Sequence, residues 1–462
     1  MTVDRVRSRS LWLDTCGDDL TPRPALGGDI DADVAIVGGG MTGLWTALSL
    51  AEHQPDCRIV VIEAEVCGFG ASGRNGGWCS ALFPTSLDRL AVMAGRDAAI
   101  AQHRAMIDTL DVIETSLIRH GIDCHWARGG TVTAATNPAH VPRLRAYLDQ
   151  RSRFGFDERD DRWLRPSEVA KRARVTGNVG GAFTPHCAAV QPARLVRGLA
   201  RAAETAGVAV HEGTRVTGIA PGRVDTTHGV VRAPTVLRCT EGYTAALPGE
   251  TRKVLPLYSL MIATEPLPDD VWELVGLAER ETFGDGRHLL IYGQRTADGR
   301  FAFGGRGAPY HFGSSIRDSY DRDRRVAADL TRVMHDLFPP LADARITHHW
   351  GGPLGVPRDW TPSIVFDRGT GLGSAGGYVG DGVSTTNLAG RTLADLVLGR
   401  GTDLVELPWV QHRSPDWEPE PLRWLGVNAG RSLAAATDRR EAKRRRPAPL
   451  LEGLLERFTG GD

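Results

Sequence analysis

Short apolar runs bounded by glycine, proline or charge recur along the 462-residue chain, between longer stretches whose apolar residues return every three or four positions. Runs of this length suit buried strands, and the longer period suits helices with one covered face. The clearest alternation starts at Val34-Ala35-Ile36-Val37. Gly38-x-Gly40-x-x-Gly43 follows, then Leu44, Ala47, Leu48 and Ala51 at helical spacing, then an apolar run over 59–62 that ends on Glu63. This order predicts strand, tight turn, helix and a second parallel strand.

Downstream, residues 87–120 lack proline, carry one glycine (Gly95) and keep a helical period, so one or two helices end at Gly121. Residues 125–134 suggest a strand, and 142–153 a helix with Pro142 in its first turn. Pro192 opens another helix running to about Ala206. Runs at 208–211, 214–219 and 230–238 read as further strands. Residues 255–310 are β-rich, with a hairpin signal at Asp298-Gly299 before Phe301-Ala302-Phe303. Residues 316–336 read as a charged helix, and 371–391 as a glycine-rich turn entering a helix.

Composition alters this picture little. The length allows about two to three domains, and 41% hydrophobic residues suffice for ordinary cores. A formal net charge of −1 gives no global attraction to nucleic acid or membrane. Seven cysteines, without a CxxC pair, point to reduced thiols in a cytoplasmic protein. No signal-peptide pattern and no run of about 18 apolar residues is visible. No Cys/His cluster has metal-ligand spacing, so no metal is expected. His348 and His349 are neighbours on a strand, point to opposite faces and cannot chelate together; at most one reaches the pocket.

The chemistry concentrates where the pattern is sharpest. In the βαβ fingerprint Gly38 makes the turn, Gly40 admits a pyrophosphate close to the backbone, and Gly43 lets helix and strand pack closely. The helix N-terminus, starting at Met41 and Thr42, turns its N–H groups and positive end to the phosphates. Glu63, 20 residues past Gly43, can accept both ribose hydroxyls and would repel a 2′-phosphate. FAD and NAD both remain open on this stretch. A second spacing of this kind, Gly371, Gly373 and Gly376, lacks the context, because Asp395 falls inside a helix instead of at a strand end. Straight after Glu63 and Ala64, residues 64–78 hold five glycines, an excess that lets backbone N–H groups close on a ligand.

VGGGMTGL…VIEAE followed by GFGASGRNGGW resembles the amine-oxidising flavoproteins of the D-amino-acid oxidase and glycine oxidase superfamily, nearest the γ-glutamylputrescine oxidoreductase-like branch. Residues 377–391 are similar to the family's GYxGxGVxxTxxAG signature. The resemblance implies FAD. Beside Gly38, Gly40, Met41, Thr42, Gly43, Glu63 and Ala64, the loop Gly70, Ala71, Ser72, Arg74, Asn75, Gly76 and Gly77 would run from pyrophosphate to isoalloxazine, with Ser72 and Arg74 on the phosphates or ribityl chain. Val216 would offer a backbone contact near the adenine, and Gly242 would close over the dinucleotide. Gly352, Gly377, Gly380, Gly382 and Val383 would complete the cofactor set, the last three at the pyrimidine end of the ring. No cysteine follows Cys239, so the FAD is expected to be noncovalent. Tyr258, His288, Tyr292 and Arg306, on the sheet that roofs the flavin in relatives, are the substrate-pocket and catalytic candidates.

The implied fold is an α/β FAD-binding Rossmann-like domain, discontinuous in sequence, plus an interleaved α+β substrate domain with a large, mostly antiparallel sheet. An N-terminal arm over 1–30, anchored by Trp12, precedes an FAD-binding domain at 31–90, 181–250 and 345–404. The substrate-binding domain takes 91–180 and 251–344, and a Trp-rich tail, basic at 438–446, takes 405–462. The implied activity is oxidation of the C–N bond of a small polar primary or secondary amine or amino acid, with hydride passing to flavin N5. The imine would hydrolyse to a carbonyl, and O2 or an electron carrier would reoxidise the flavin. A non-catalytic FAD-binding protein and an NAD(P)H-dependent flavin reductase or monooxygenase are the alternatives. No nucleic-acid or membrane partner is expected; leucines 450, 451, 454 and 455 with Phe458 suggest a helix for self-association into a homodimer.

Overall fold

The computed structural model describes residues 2–305, 307 and 309–459. Its central feature is a six-stranded sheet in the order Ser363–Asp367, Leu372–Gly376, Thr235–Arg238, Val34–Val37, Ile59–Ile62, Ala209–His211. Every pairing in it is parallel except the edge pair of Ser363–Asp367 with Leu372–Gly376. Val34–Val37 and Ile59–Ile62 are buried at every position because both faces are covered. Val34, Ile36, Ile59 and Val61 pack against the helices Met41–His53, Pro192–Thr205 and Gly382–Leu398. Ala35, Val37, Val60 and Ile62 face a four-stranded sheet through Val224 and Val231. A Cβ at Gly390 would stand 2.7 Å from the backbone N of Thr46, so glycine lets Gly382–Leu398 cross Met41–His53 closely.

An eight-stranded sheet forms the second layer: Ile346–Val356, Leu255–Thr264, Phe301–Gly305, Ile291–Arg295, Thr282–Asp285, Thr131–Ala134, Gly181–Thr184, Arg162–Leu164. It is antiparallel apart from the pair Thr282–Asp285 with Thr131–Ala134. One face packs Phe283, Phe301 and Phe303 against Leu330 and Met334 of the helix Arg324–Leu337. The other face looks towards the parallel sheet. Gly181–Thr184 and Ile346–Val356, placed on the FAD side by the sequence boundaries at 181 and 345, hydrogen-bond into this sheet instead. The chain therefore returns to the six-stranded sheet after these two strands, later than the boundaries that the resemblance implied.

Other elements follow local chemistry. Gly95, at φ +94°, breaks the 87–120 stretch into helices Leu87–Ala94 and Arg96–Arg119. The charged helix expected from 316 begins only at Arg324, where the Asp323 side chain accepts the N–H groups of Arg325 and Val326. Trp12 is buried on the body, 6.0 Å from Trp350 in an edge-to-face contact. In the tail, Trp409 is fully buried against Phe83, and helices Leu422–Arg444 and Pro449–Thr459 finish the described chain. Among the described residues no helix is long and apolar enough to cross a membrane.

Candidate active site

A cleft opens at the carboxyl ends of Val34–Val37 and Ile59–Ile62, where the fingerprint turn lies. Gly38 has φ +113°, and a Cβ there would meet the Cys239 carbonyl oxygen at 2.5 Å. A Cβ on Gly43 would lie 2.1 Å from the Gly38 carbonyl, so this position sets the helix–strand approach. Gly40 caps the helix Met41–His53 without a side-chain hydrogen bond; a Cβ there would come within 3.0 Å of Ser72 Oγ. Glu63 turns its carboxylate into this turn, accepting the Gly39 N–H at 2.7 Å and the Glu65 N–H at 3.0 Å. Burial lifts its pKa to about 7.

The loop after Glu63 is held from several directions. Asn75 donates to the carbonyls of Ala71 and Ser72 and accepts the Gly77 N–H at 2.7 Å, which ties the turn to itself. Ser10 and Trp12 of the N-terminal arm donate to the carbonyls of Gly73 and Asn75, both at 2.7 Å, and Trp350 donates to that of Arg74 at 2.9 Å. Ser72 Oγ accepts the Met41 N–H at 2.9 Å and so joins loop to nucleotide helix. Arg74 is a buried strut. It donates to the Phe69 carbonyl at 2.6 Å, Asp321 at 2.8 Å and the Tyr243 hydroxyl at 2.9 Å, and its guanidinium lies over the Phe69 ring. Its donors are thus directed at the protein, unlike the phosphate contact expected from sequence.

Glu241 lines the opposite wall. Its carboxylate accepts the N–H groups of Gly377 at 2.7 Å and Gly355 at 3.2 Å, and burial lifts its pKa to about 7 as well. Glu241 itself has φ +43°, a strained value for a non-glycine residue held where three segments meet. The Thr42 hydroxyl reaches that of Tyr378 at 3.1 Å, joining the nucleotide helix to the turn before Gly382–Leu398. That helix also starts without a side-chain cap, so its first N–H groups are open to a ligand beside Gly380 and Val383.

A second cavity, of about 200 Å³, shares Ala71, Asn75, Leu354, Gly380 and Val383 with the cleft. Its far wall is the inward face of the eight-stranded sheet: Thr131, Thr133, Ser259, Gly284 and Tyr292. Tyr292 is packed between Gly76 and Gly304, where a Cβ would lie 2.9 and 2.5 Å from its ring, and its hydroxyl meets Ser259 Oγ at 2.7 Å. Trp78 stands edge-on to Tyr292 at 6.1 Å.

Of the four substrate candidates, the structure brings only Tyr292 to this cavity among the described residues; Arg306 lies outside them. Tyr258 is on the opposite face of its strand. It is 1% exposed, packed edge-on against His311 and Tyr320, and accepts the Arg317 N–H at 3.3 Å. His288 is turned away to the tail, with Nε2 2.6 Å from Arg143 Nη2 and 3.4 Å from Glu441. Neither His348 nor His349 lines either cavity: His348 meets Asp14 at 3.1 Å and His349 is exposed.

Among the cofactor candidates, Gly38, Gly40, Met41, Thr42, Glu63, Ala64, Gly70, Ala71, Ser72, Asn75, Val216, Gly242, Gly380, Gly382 and Val383 line the cleft. Arg74, Gly76 and Gly352 line the second cavity instead. Gly43, Gly77 and Gly377 line neither and act as framework: Gly77 packs on the Gln294 side chain and Gly377 donates to Glu241. Sequence reasoning passed over Glu241, Tyr243 and Leu354; only the turn glycine beside Glu241 marked that wall. A cradle that any Cβ would fill, a helix end without a cap and a buried carboxylate together fit the adenosine and pyrophosphate of FAD.

A protein-family model described as FAD dependent oxidoreductase matches residues 33–396. A probable oxidoreductase OrdL of Haemophilus influenzae is 30% identical over 401 residues, covering 85% of this chain and 88% of the relative. The γ-glutamylputrescine oxidoreductase of Escherichia coli is 31% identical over 397 residues, covering 84% and 89%. Among solved structures, glycine oxidase from Bacillus cereus has a TM-score of 0.67 at 18% identity, covering 83% of this chain and 99% of that one, a likeness of fold. With a family model spanning residues 33–396 and 30% identity kept over most of its length, the chain belongs to the D-amino-acid oxidase family of FAD-dependent oxidoreductases.

Proposed function

We propose that the protein oxidises the C–N bond of a small polar primary or secondary amine or amino acid, using noncovalently held FAD. The observation that carries this reading is the wall shared by the two cavities: Asn75, Leu354, Gly380 and Val383 line both, so a flavin held in the cleft would be bordered by the second cavity. FAD, when bound, supplies a two-electron acceptor for a hydride. The chain does the rest. The N–H groups that begin Gly382–Leu398 favour negative charge at the pyrimidine end. Trp78, Leu290 and Ile291 give the second cavity an apolar stretch of wall, and the Ser259–Tyr292 pair offers hydroxyls to orient a polar substrate.

Two hydrogens leave the substrate, one from carbon as hydride and one from nitrogen as a proton; water then converts the imine to a carbonyl and releases ammonia or a smaller amine. An amine that arrives neutral needs no separate base; the described lining holds no histidine or lysine, and its carboxylates are Asp285 and Asp381. Asp285 is committed to Arg287, at 2.7 Å, and to the Thr136 hydroxyl. No cysteine or histidine lines the second cavity among the described residues, which supports noncovalent attachment. The names of the relatives, γ-glutamylputrescine oxidoreductase and glycine oxidase, support an amine or amino acid as substrate.

The test is anaerobic mixing of the holoenzyme with γ-glutamylputrescine, putrescine, glycine, sarcosine, L-proline and D-alanine. Bleaching of the flavin by one of them, with an equivalent of carbonyl product, is expected, and the flavin should be released intact on denaturation. Bleaching by NADPH and by none of the amines would overturn the reading. Admitting O2 or an artificial electron carrier afterwards separates oxidase from dehydrogenase.

A further inference from the structure

The second cavity is walled in part by Leu290 and Ile291, which end the loop between strands Thr282–Asp285 and Ile291–Arg295. Within its own sheet the loop is tied through Arg287, whose backbone N–H and guanidinium both donate to Asp285; its tip is held from the tail. The backbone N–H groups of His288 and Leu289 donate to the two oxygens of one carboxylate, Asp438 on the tail helix Leu422–Arg444, at 2.8 and 2.9 Å. A carboxylate accepting two successive amides fixes the peptide plane between them and both neighbouring torsions. The grip extends on both sides. Arg143 donates to the Gly286 carbonyl through one nitrogen and, through the other, to Glu441 at 3.1 Å and Glu452 at 2.8 Å. Asn137 donates to the Glu441 carbonyl at 3.1 Å, and Glu441 is 1% exposed.

His288, Asp438 and Glu441 stand close enough for a metal ion. Arg143 occupies that place with its guanidinium, 2.6 Å from His288 Nε2 and within hydrogen-bond reach of Glu441, which disfavours a cation there. The cluster is a clasp. Its carboxylates, Asp438, Glu441 and Glu452, lie beyond the segment matched by the family model, which ends at residue 396, so the tail adds to the matched region something that reaches the cavity wall.

We propose that Asp438 is a positioning residue for the reaction: by holding the His288 and Leu289 amides it sets where Leu290 and Ile291 stand, and so sets the fit of the substrate cavity. The inference rests on the reading that this cavity takes the amine. It acts on substrate binding and leaves the flavin untouched, because no residue of the clasp lines the cofactor cleft.

The experiment compares holoenzymes carrying Asp438→Asn, Asp438→Glu and Arg439→Gln. Arg439 is exposed on the same helix and serves as control. Asp438→Asn keeps the side-chain volume but offers one acceptor oxygen, so one amide loses its partner. With the panel amine of highest kcat/KM, KM should rise about tenfold while kcat stays within about twofold. Amide hydrogen exchange should quicken at 286–291 and not at Phe301–Gly305. Asp438→Glu should restore most of the loss, and Arg439→Gln should match the wild type. An unmoved KM in Asp438→Asn with full flavin content, or an equal change in Arg439→Gln, would overturn the role of Asp438. A wild-type holoenzyme that no panel amine bleaches would instead overturn the functional reading.

Discussion

Each oxygen of Glu63 accepts one backbone N–H, from Gly39 and from Glu65, and burial lifts the carboxylate pKa from 4.5 to about 7. Ribose hydroxyls that donated to this carboxylate would stabilise its anion, so binding FAD should expel the proton that the apo protein carries below about pH 7. Protons and FAD then compete. One pH unit below the apo value about ten of every eleven sites are protonated, so the apparent Kd at pH 6 is about tenfold above its plateau, and at pH 8 close to it. The contribution of Glu63 to apo stability runs the other way: its raised pKa favours the fold below about pH 4.5, and that stability is lost as pH rises through about 7. Glu63→Gln removes the proton. It also takes away one acceptor, and losing a charge-assisted hydrogen bond worth about 1.5–3 kcal/mol raises the plateau Kd about 10- to 150-fold. Apo protein titrated with FAD by flavin fluorescence at pH 6, 7 and 8 reads both effects, and calorimetry in two buffers counts the proton. Wild-type affinity that is flat across this range refutes the reasoning. So does a slope that survives in Glu63→Gln, because the proton would then belong to Glu241, whose pKa is also about 7.

Gly43→Ala places a methyl 2.1 Å from the Gly38 carbonyl and should yield folded but colourless protein, checked by circular dichroism and flavin absorbance after purification. Trp12→Ala removes a buried indole that holds the Asn75 carbonyl and should cost about 3–5 kcal/mol, so that flavin release and unfolding move down together in a thermal ramp. Trp12→Phe, losing mainly the hydrogen bond, should cost about 1 kcal/mol. Tyr292→Phe should lower kcat/KM about tenfold with normal flavin content, whereas Tyr258→Phe, whose hydroxyl faces the Arg317 N–H, should stay within about twofold. Equal kinetic losses in both variants would place the cavity on the wrong face of the sheet.

The nucleotide half of the site is legible in the sequence because its parts are local. The strand at 34–37, the turn glycines, the helix and Glu63 lie within about thirty residues, and each has its own backbone reason. The substrate half is read from pairings over long separations, and those leave a weaker trace. Tyr258 and Ser259 are neighbours on one strand and so point to opposite faces. In a one-sided sheet, polarity would say which face is inward. Here both faces are covered, one by the helix Arg324–Leu337 and one by the flavin loop, so Tyr258 passes for a pocket residue while Ser259, which meets the Tyr292 hydroxyl, goes unnoticed.

Arg74 and His288 are turned to other partners for a related reason. An arginine in a glycine-rich loop beside a phosphate site suggests a phosphate contact, and a histidine on a roofing strand suggests a pocket. Each is instead satisfied by a partner hundreds of residues away or nearly so: Arg74 by Asp321, His288 by Glu441. A buried guanidinium requires a carboxylate, and the loop needs rigidity more than charge, since its glycines contribute no side-chain packing. The same need recurs at every wall of the two cavities. Trp12 fixes Asn75 from the N-terminal arm, Glu241 fixes Gly355 and Gly377, and Asp438 fixes His288 and Leu289 from the tail. Segments that lie outside the matched family region at both ends of the chain thus hold the loops that the family region presents to its ligands. Removal of the tail from Leu422 onward should therefore act first on what the second cavity binds, whereas the stretch before it, in which Trp409 and Gln411 hydrogen-bond Ile364 of the six-stranded sheet, supports that sheet directly.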